Sequence, residues 1–187
     1  GADGATPWVA WRETVDNLQL LNAAFFNGSS WTLTPLLNRD TTHHADDPAL
    51  TAGAVVSGAL ALPWAAWTES AASGVQQVVV SRAEADGAAQ GGFRWQAVGD
   101  VLNLDPQRQG QRPDLTFAGV GQTTPWVVWT ESGADRASRI FAKRLVGNTW
   151  QAVGRQENCG TTEVTCALNH NGGQTAQMVH IAAGALP

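Results

Sequence analysis

The chain has 187 residues, 43% hydrophobic and 14% charged, enough for one sizeable core and short for two. Its net charge of -5 argues against a nucleic-acid partner held by phosphate neutralisation, and no apolar run reaches the ~18 residues that a helical membrane span needs. Nine Trp and no Tyr exclude a tyrosine nucleophile within this chain, while the many Gly and small polar residues favour strands and turns over helices.

The predicted elements follow a threefold repeat. The first repeat, 7–62, opens on Pro7-Trp-Val-Ala-Trp-Arg-Glu-Thr14; the second, 63–124, on Pro63-Trp-Ala-Ala-Trp-Thr-Glu-Ser70; the third, 125–187, on Pro125-Trp-Val-Val-Trp-Thr-Glu-Ser132. Each opening segment reads as a strand, here called B. An apolar strand C follows, such as Gln77-Val-Val-Val-Ser81 or Ile140-Phe-Ala-Lys143. Next comes a turn, at Asn27-Gly-Ser-Ser30, Ala85–Gly92 or Val146-Gly-Asn-Thr149, and strand D then begins at a third Trp: Trp31, Trp95 or Trp150. Asn38, Asn103 and Asn158 stand seven or eight residues beyond that Trp. A polar loop leads to the closing strand A, at Pro48-Ala-Leu-Thr51, Pro113-Asp-Leu-Thr116 and Met178-Val-His-Ile181.

Strand B is apolar on both faces: Trp11, Trp67 and Trp129 lie on one side, and Trp8, Trp64 and Trp126 on the other. A strand covered on both sides belongs to stacked sheets, and a radial stack of four-stranded antiparallel sheets is a β-propeller. The Pro-x-Val-Ala-Trp-x-Glu and Trp-x-x-Val-Gly patterns resemble those of bacterial β-propeller repeat proteins. The turns Gly28-Ser-Ser-Trp31 and Gly147-Asn-Thr-Trp150 are loosely similar to the sialidase-type Asp-box, without its Asp. The resemblance implies an all-β propeller segment over 1–187, three repeats of it. Gly1–Pro7 and Ala183–Pro187 match the same point of the repeat, so the first repeat lacks an inner strand and the last supplies an extra one. Two chains exchanging strand A head to tail would close a six-bladed ring; the competing expectation is a piece of a longer propeller. A trefoil or β-prism also closes on three repeats, but these repeats are long for a trefoil.

Candidate site residues fall into two groups. Glu13, Glu69 and Glu131 recur in register at the ends of strand B and have the chemistry of a shallow acidic mouth, or of acceptors for backbone N–H groups in neighbouring turns. Residues that break the repeat are sharper candidates. Loop 39–47 holds Arg39, Asp40, His43, His44, Asp46 and Asp47, whose imidazoles and carboxylates suit a ligand, an acid–base pair or a loop-bound divalent cation such as calcium. The loop with Arg108 and Arg112 suits an anionic group. His180, in an apolar strand pattern, reads as a core or interface histidine. Arg136, Arg139, Lys143 and Arg144 form the only basic cluster, read as a solvated strand edge. No resident metal, cofactor or catalytic residue is expected, and no phosphate loop, nucleophile elbow or zinc-helix motif occurs.

Cys159 and Cys166 sit seven apart in a polar stretch with no further ligand pair to complete a metal site. A local disulfide is expected, contributing roughly 2–3 kcal/mol in the chain-entropy model, and with it a secreted, periplasmic or cell-surface location. The functional expectation is a non-catalytic extracellular module that binds a glycan or protein ligand through its loop-rich face. Part of a propeller-type glycoside hydrolase or lyase is the enzymatic alternative, and an assembly module of a larger surface protein the structural one. Further partners are a second copy or the remaining blades of a longer chain, not nucleic acid or membrane.

Overall fold

A computed structural model describes residues 6–54, 61–154, 166–171 and 174–184. The described residues form an all-β fold of three antiparallel sheets, and none of their helices is long and apolar enough to cross a membrane. The first sheet joins β1 (Trp8–Val15), β2 (Leu18–Phe26) and β3 (Trp31–Leu33) in that order. The second joins β4 (Ala45–Thr51), β5 (Trp64–Ser70), β6 (Gln76–Ala85) and β7 (Phe93–Ala97). The third joins β8 (Gly110–Ala118), β9 (Thr124–Ser132), β10 (Ser138–Val146) and β11 (Thr149–Ala152). Each strand A therefore closes one repeat in sequence but pairs with strand B of the next repeat: β4 with β5, and β8 with β9.

Local chemistry sets the hairpins. Asp16 and Asn17 both adopt positive φ (49° and 66°), the two-residue turn whose twist suits a tight antiparallel ribbon, and they place Val15 opposite Leu18. The indoles then stack the sheets. Trp67 of β5 is fully buried and packs with Ala65 against Leu21, Ala23 and Leu37 of the first repeat. One repeat later Trp129 and Val127 of β9 pack in the same way against Val78, Val80 and Leu102.

A carboxylate locks each seam. Glu69 Oε2 accepts the Trp67 indole N–H at 2.9 Å and the Arg39 backbone N–H at 2.9 Å, while Oε1 accepts the Asp40 N–H at 2.8 Å. Glu131 repeats the pattern with the Trp129 indole at 2.8 Å, Leu104 N–H at 2.8 Å and Asp105 N–H at 3.0 Å. Burial pushes the Glu131 carboxyl above its ordinary range, opposed by these same three donors. Glu69 and Glu131 are thus buried in the seams between sheets. Glu13, at the matching place on β1, is exposed and accepts the Asn22 side-chain N–H at 3.2 Å.

An asparagine fixes the loop that supplies those N–H groups. Asn38 Oδ1 accepts from Leu21 N–H at 2.8 Å and Asn103 Oδ1 from Val78 N–H at 2.7 Å. The third such residue is Asn169, which accepts from Ile140 N–H at 2.9 Å and donates to the Gln174 carbonyl at 2.8 Å. Asn158, the asparagine expected from its spacing to Trp150, lies outside the described residues. The stretch containing Cys159 is an insertion ahead of the conserved geometry, so counting from Trp150 stops short. Likewise, the basic cluster is no strand edge: β10 is paired on both sides, Arg139 is 5% exposed, and Lys143 and Arg144 lie 5.8 Å from the rings of Trp129 and Trp126.

Residues 174–184 have no assigned strand, yet they repeat the start of β4 and β8. The Thr175 hydroxyl accepts from Ser138 N–H at 3.4 Å, as Gln109 Oε1 accepts from Gln76 N–H at 2.8 Å and His44 Nδ1 from Gln19 N–H at 3.2 Å. Met178 adopts φ 60°, and its counterparts Asp47 and Arg112 adopt 52° and 49°. Val179, not Met178, is therefore the residue that matches Pro48 and Pro113.

Two stability outcomes follow from these contacts. Glu131→Ala strands three N–H donors in a seam and is expected to cost about 2–3 kcal/mol in urea unfolding; a loss under ~0.5 kcal/mol, the scale of an ordinary surface substitution, would deny the clamp its role. Asp135 grips Arg139 with both oxygens, at 2.9 and 2.7 Å, and this pairing, helped by the Ala137 N–H, holds its carboxyl down at about 2 against an ordinary 3.8. A lowered carboxyl stabilises the fold fully above its unfolded value and loses that contribution as pH falls toward the folded one. Asp135→Asn should therefore be less stable than wild type at pH 5, with the gap closing between about pH 4 and 2.

Candidate functional site

Strands β4 and β8 carry unlike side chains on a matching backbone. In β4 the pairing with β5 skips between Asp46 and Ala49, and in β8 the pairing with β9 skips between Gln111 and Asp114. A bulge at the same place in each strand turns one residue into the left-handed region: Asp47 in β4, Arg112 in β8, with Met178 in the corresponding place of the last segment. That conformation costs a non-glycine residue about 1–3 kcal/mol. Glycine or asparagine would relieve it, yet the three positions hold an acid, a base and a thioether.

These residues border one opening of about 360 Å³, between β4, β8 and the 178–180 segment. Asp47, Arg112 and Asp114 bring charge to its wall, His180 brings an imidazole, and Pro48, Pro113 and Met178 bring apolar surface. The wall is partly pre-organised. Arg112 N–H donates to Asp47 Oδ2 at 3.1 Å, Ile181 N–H donates to Asp114 Oδ2 at 3.1 Å, and His180 Nδ1 stands 3.2 Å from that same oxygen. Two carboxylates, a guanidinium and an imidazole around apolar patches can accept hydroxyl protons and hold an anionic group. They sit in a wall that a small ligand can enter.

The other sequence candidates disperse. Asp46, beside Asp47, turns away to pair with Arg12 at 2.5 Å. His43 pairs with Asp40 at 3.0 Å, and Asp40 is held below the usual carboxylate range first by Thr42 and then by His43. Arg108 lies 3.5 Å from Asp105 within its own loop, so it does not join Arg112 around one anion. Arg39 crosses the seam to donate to the Val80 carbonyl at 2.8 Å. Among the described residues no group of three or more His, Cys, Asp or Glu is placed to hold a metal ion.

Sequence reasoning brought Asp47 and Arg112 forward from different loops without linking them, and it missed Asp114 and Met178. His180 was expected in a core or interface; its side chain is 83% exposed, so it is no core residue of the single chain. The available signal was an alignment of strand A on Pro48 and Pro113, which puts Asp47 and Arg112 at one position.

A second opening, of about 740 Å³, lies at the opposite ends of the second and third sheets beside Trp64, Phe117 and Leu145. Its charged residues satisfy one another: Glu84 takes Arg82 at 2.8 Å, and takes Arg94 at 2.7 Å from outside the rim. No family model, curated protein or solved structure matches the chain.

Proposed function

We propose that the chain is a segment of an extracellular β-propeller that binds, without turning it over, a glycan carrying an acidic group, at the opening between its inner strands. The observation behind this reading is the triplet Asp47, Arg112 and Met178: three unlike side chains at one left-handed backbone position that recurs in β4, β8 and the last segment. Packing needs none of them there, and a repeat kept only for architecture has no use for strain without glycine. A guanidinium for a carboxylate, acids for hydroxyls and proline or methionine faces for a sugar ring supply the complementary chemistry. No cofactor is needed.

Binding is tested by titrating the protein with uronate-containing and neutral oligosaccharides in a calorimeter. Arg112→Ala should weaken uptake of the acidic oligosaccharide at least tenfold and leave thermal stability within a few degrees of wild type, and Asp47→Asn should weaken it less. Binding that ignores both substitutions would refute the site. Release of reducing ends on incubation would replace this reading with the glycoside hydrolase alternative, and a protein ligand displaced by Arg112→Ala would replace the glycan.

The extracellular location draws support from the cysteines. Cys166 is buried, packed in the cluster around Trp129, and Cys159 lies outside the described residues. In an oxidising compartment the two are expected to pair. Protein secreted from a bacterial host and denatured without reductant should take up no alkylating label; two labels per chain would remove this support.

A further inference from the structure

The first and third sheets present the two halves of a seam that the chain has already built twice. We infer that two copies of this chain join through it, head to tail, the start of one meeting the end of the other. The inference rests on the propeller reading for the closure of the ring and owes nothing to the ligand.

The head is β1, whose motif matches β5 and β9 but whose surroundings do not. Val9 is 39% exposed, whereas its counterparts Ala65 and Val127 are fully buried. Among the described residues β1 is an edge strand, while β5 and β9 each have an inner strand alongside. Trp31 is 52% exposed, yet the matching Trp95 and Trp150 reach back to the previous repeat, donating to Thr34 Oγ1 at 3.2 Å and to the Val98 carbonyl at 2.9 Å.

The tail carries the complement. Leu37 and Leu102, which receive Trp67 and Trp129, are 2% and 1% exposed; Leu168, at the same place after Cys166 and Ala167, is 37% exposed. Asn169 holds its loop as Asn38 and Asn103 hold theirs. Segment 176–182 bears at Met178 the positive φ of the β4 and β8 bulges, and among the described residues no strand B pairs with it.

Carrying the two internal seams over gives a definite register. Ala45 faces Glu69, Leu50 faces Ala65 and Thr51 faces Trp64; Gly110, Leu115 and Thr116 face Glu131, Val127 and Trp126. In the dimer Ala176 would face Glu13 of the second copy, Ile181 its Val9 and Ala182 its Trp8. Trp11 would then pack over Ile140 and Leu168. The Trp31 indole would meet the Val153 carbonyl, which follows Trp150 as Val98 follows Trp95. A second copy is the occupant these features select, because both halves stand on one chain with the chemistry of the built seams. Such a heterologous contact closes a ring when its rotation closes, and two copies of three sheets make six.

Light scattering across a wide concentration range should give twice the 19.7 kDa chain mass. Val9→Arg on the head and Leu168→Arg on the tail should each weaken dimerisation at least tenfold. Both residues are exposed in the single chain, so the near-ultraviolet tryptophan spectrum should still show a folded protein. An equimolar mixture of the two variants contains one undamaged head and one undamaged tail, and should recover dimer that neither forms alone. A folded wild-type monomer at every concentration would overturn the inference, as would a dimer indifferent to Leu168→Arg or one the mixture fails to restore. Open-ended oligomers sensitive to both substitutions would overturn the closed ring and with it the propeller reading. A monomer that still takes up the acidic oligosaccharide would sink the dimer alone.

Discussion

One carboxylate per seam holds the stack together. Glu69 and Glu131 each tie an indole from their own strand to two backbone N–H groups of the preceding repeat. Removing a carboxylate from water is expensive, and three donors per site offset that cost. The geometry binds two elements at once: strand B, with the indole buried on it, and the loop of the preceding repeat that leads to strand A. The asparagines Asn38, Asn103 and Asn169 hold that loop in the shape the carboxylate needs. Side-chain networks of this kind fix the relation between sheets that hydrophobic contact alone leaves free to slide.

With the stack fixed, the inner strands are free to vary. The bulges in β4 and β8 recur because each inner strand must leave and rejoin the ladder around its own loop. The residue at the apex faces the opening between strands, where no neighbour dictates its identity. Asp47, Arg112 and Met178 thus differ while their backbone does not. The frame thus repeats within the chain while the side chains at its bulges differ.

The end sheets show what the internal seams supply. The same Pro-Trp motif is buried in β5 and β9 and largely exposed in β1, although its sequence scarcely changes. Burial here is a property of the neighbour and not of the strand. Exposed Val9, Trp31 and Leu168 leave apolar surface on the first sheet and on the segment that follows the third.

Much of the architecture was legible from nine tryptophans and three Pro-Trp segments. Periodicity gave the sheets, the strand order within each repeat and the C–D turns at Gly28 and Gly147, because those depend on local alternation and turn chemistry. The register of the recurrent Glu was legible too. Whether it faced solvent or a seam was not, since two residues of one strand pattern look alike until a neighbouring sheet arrives. Counting from Trp150 misplaced the loop asparagine because an insertion preserves geometry and not spacing. The basic cluster on β10 read as an edge, but strand order in space decides which strand is an edge. His180 read as a core or interface residue because its neighbours are apolar; among the described residues no strand pairs with its segment, and its side chain is exposed. The sequence by itself determined the repeat, the strand class and the side-chain inventory. Only tertiary structure brought Asp47 of β4, Arg112 and Asp114 of β8, and His180 of the last segment to one opening, since those three stretches of chain meet only when the sheets stack.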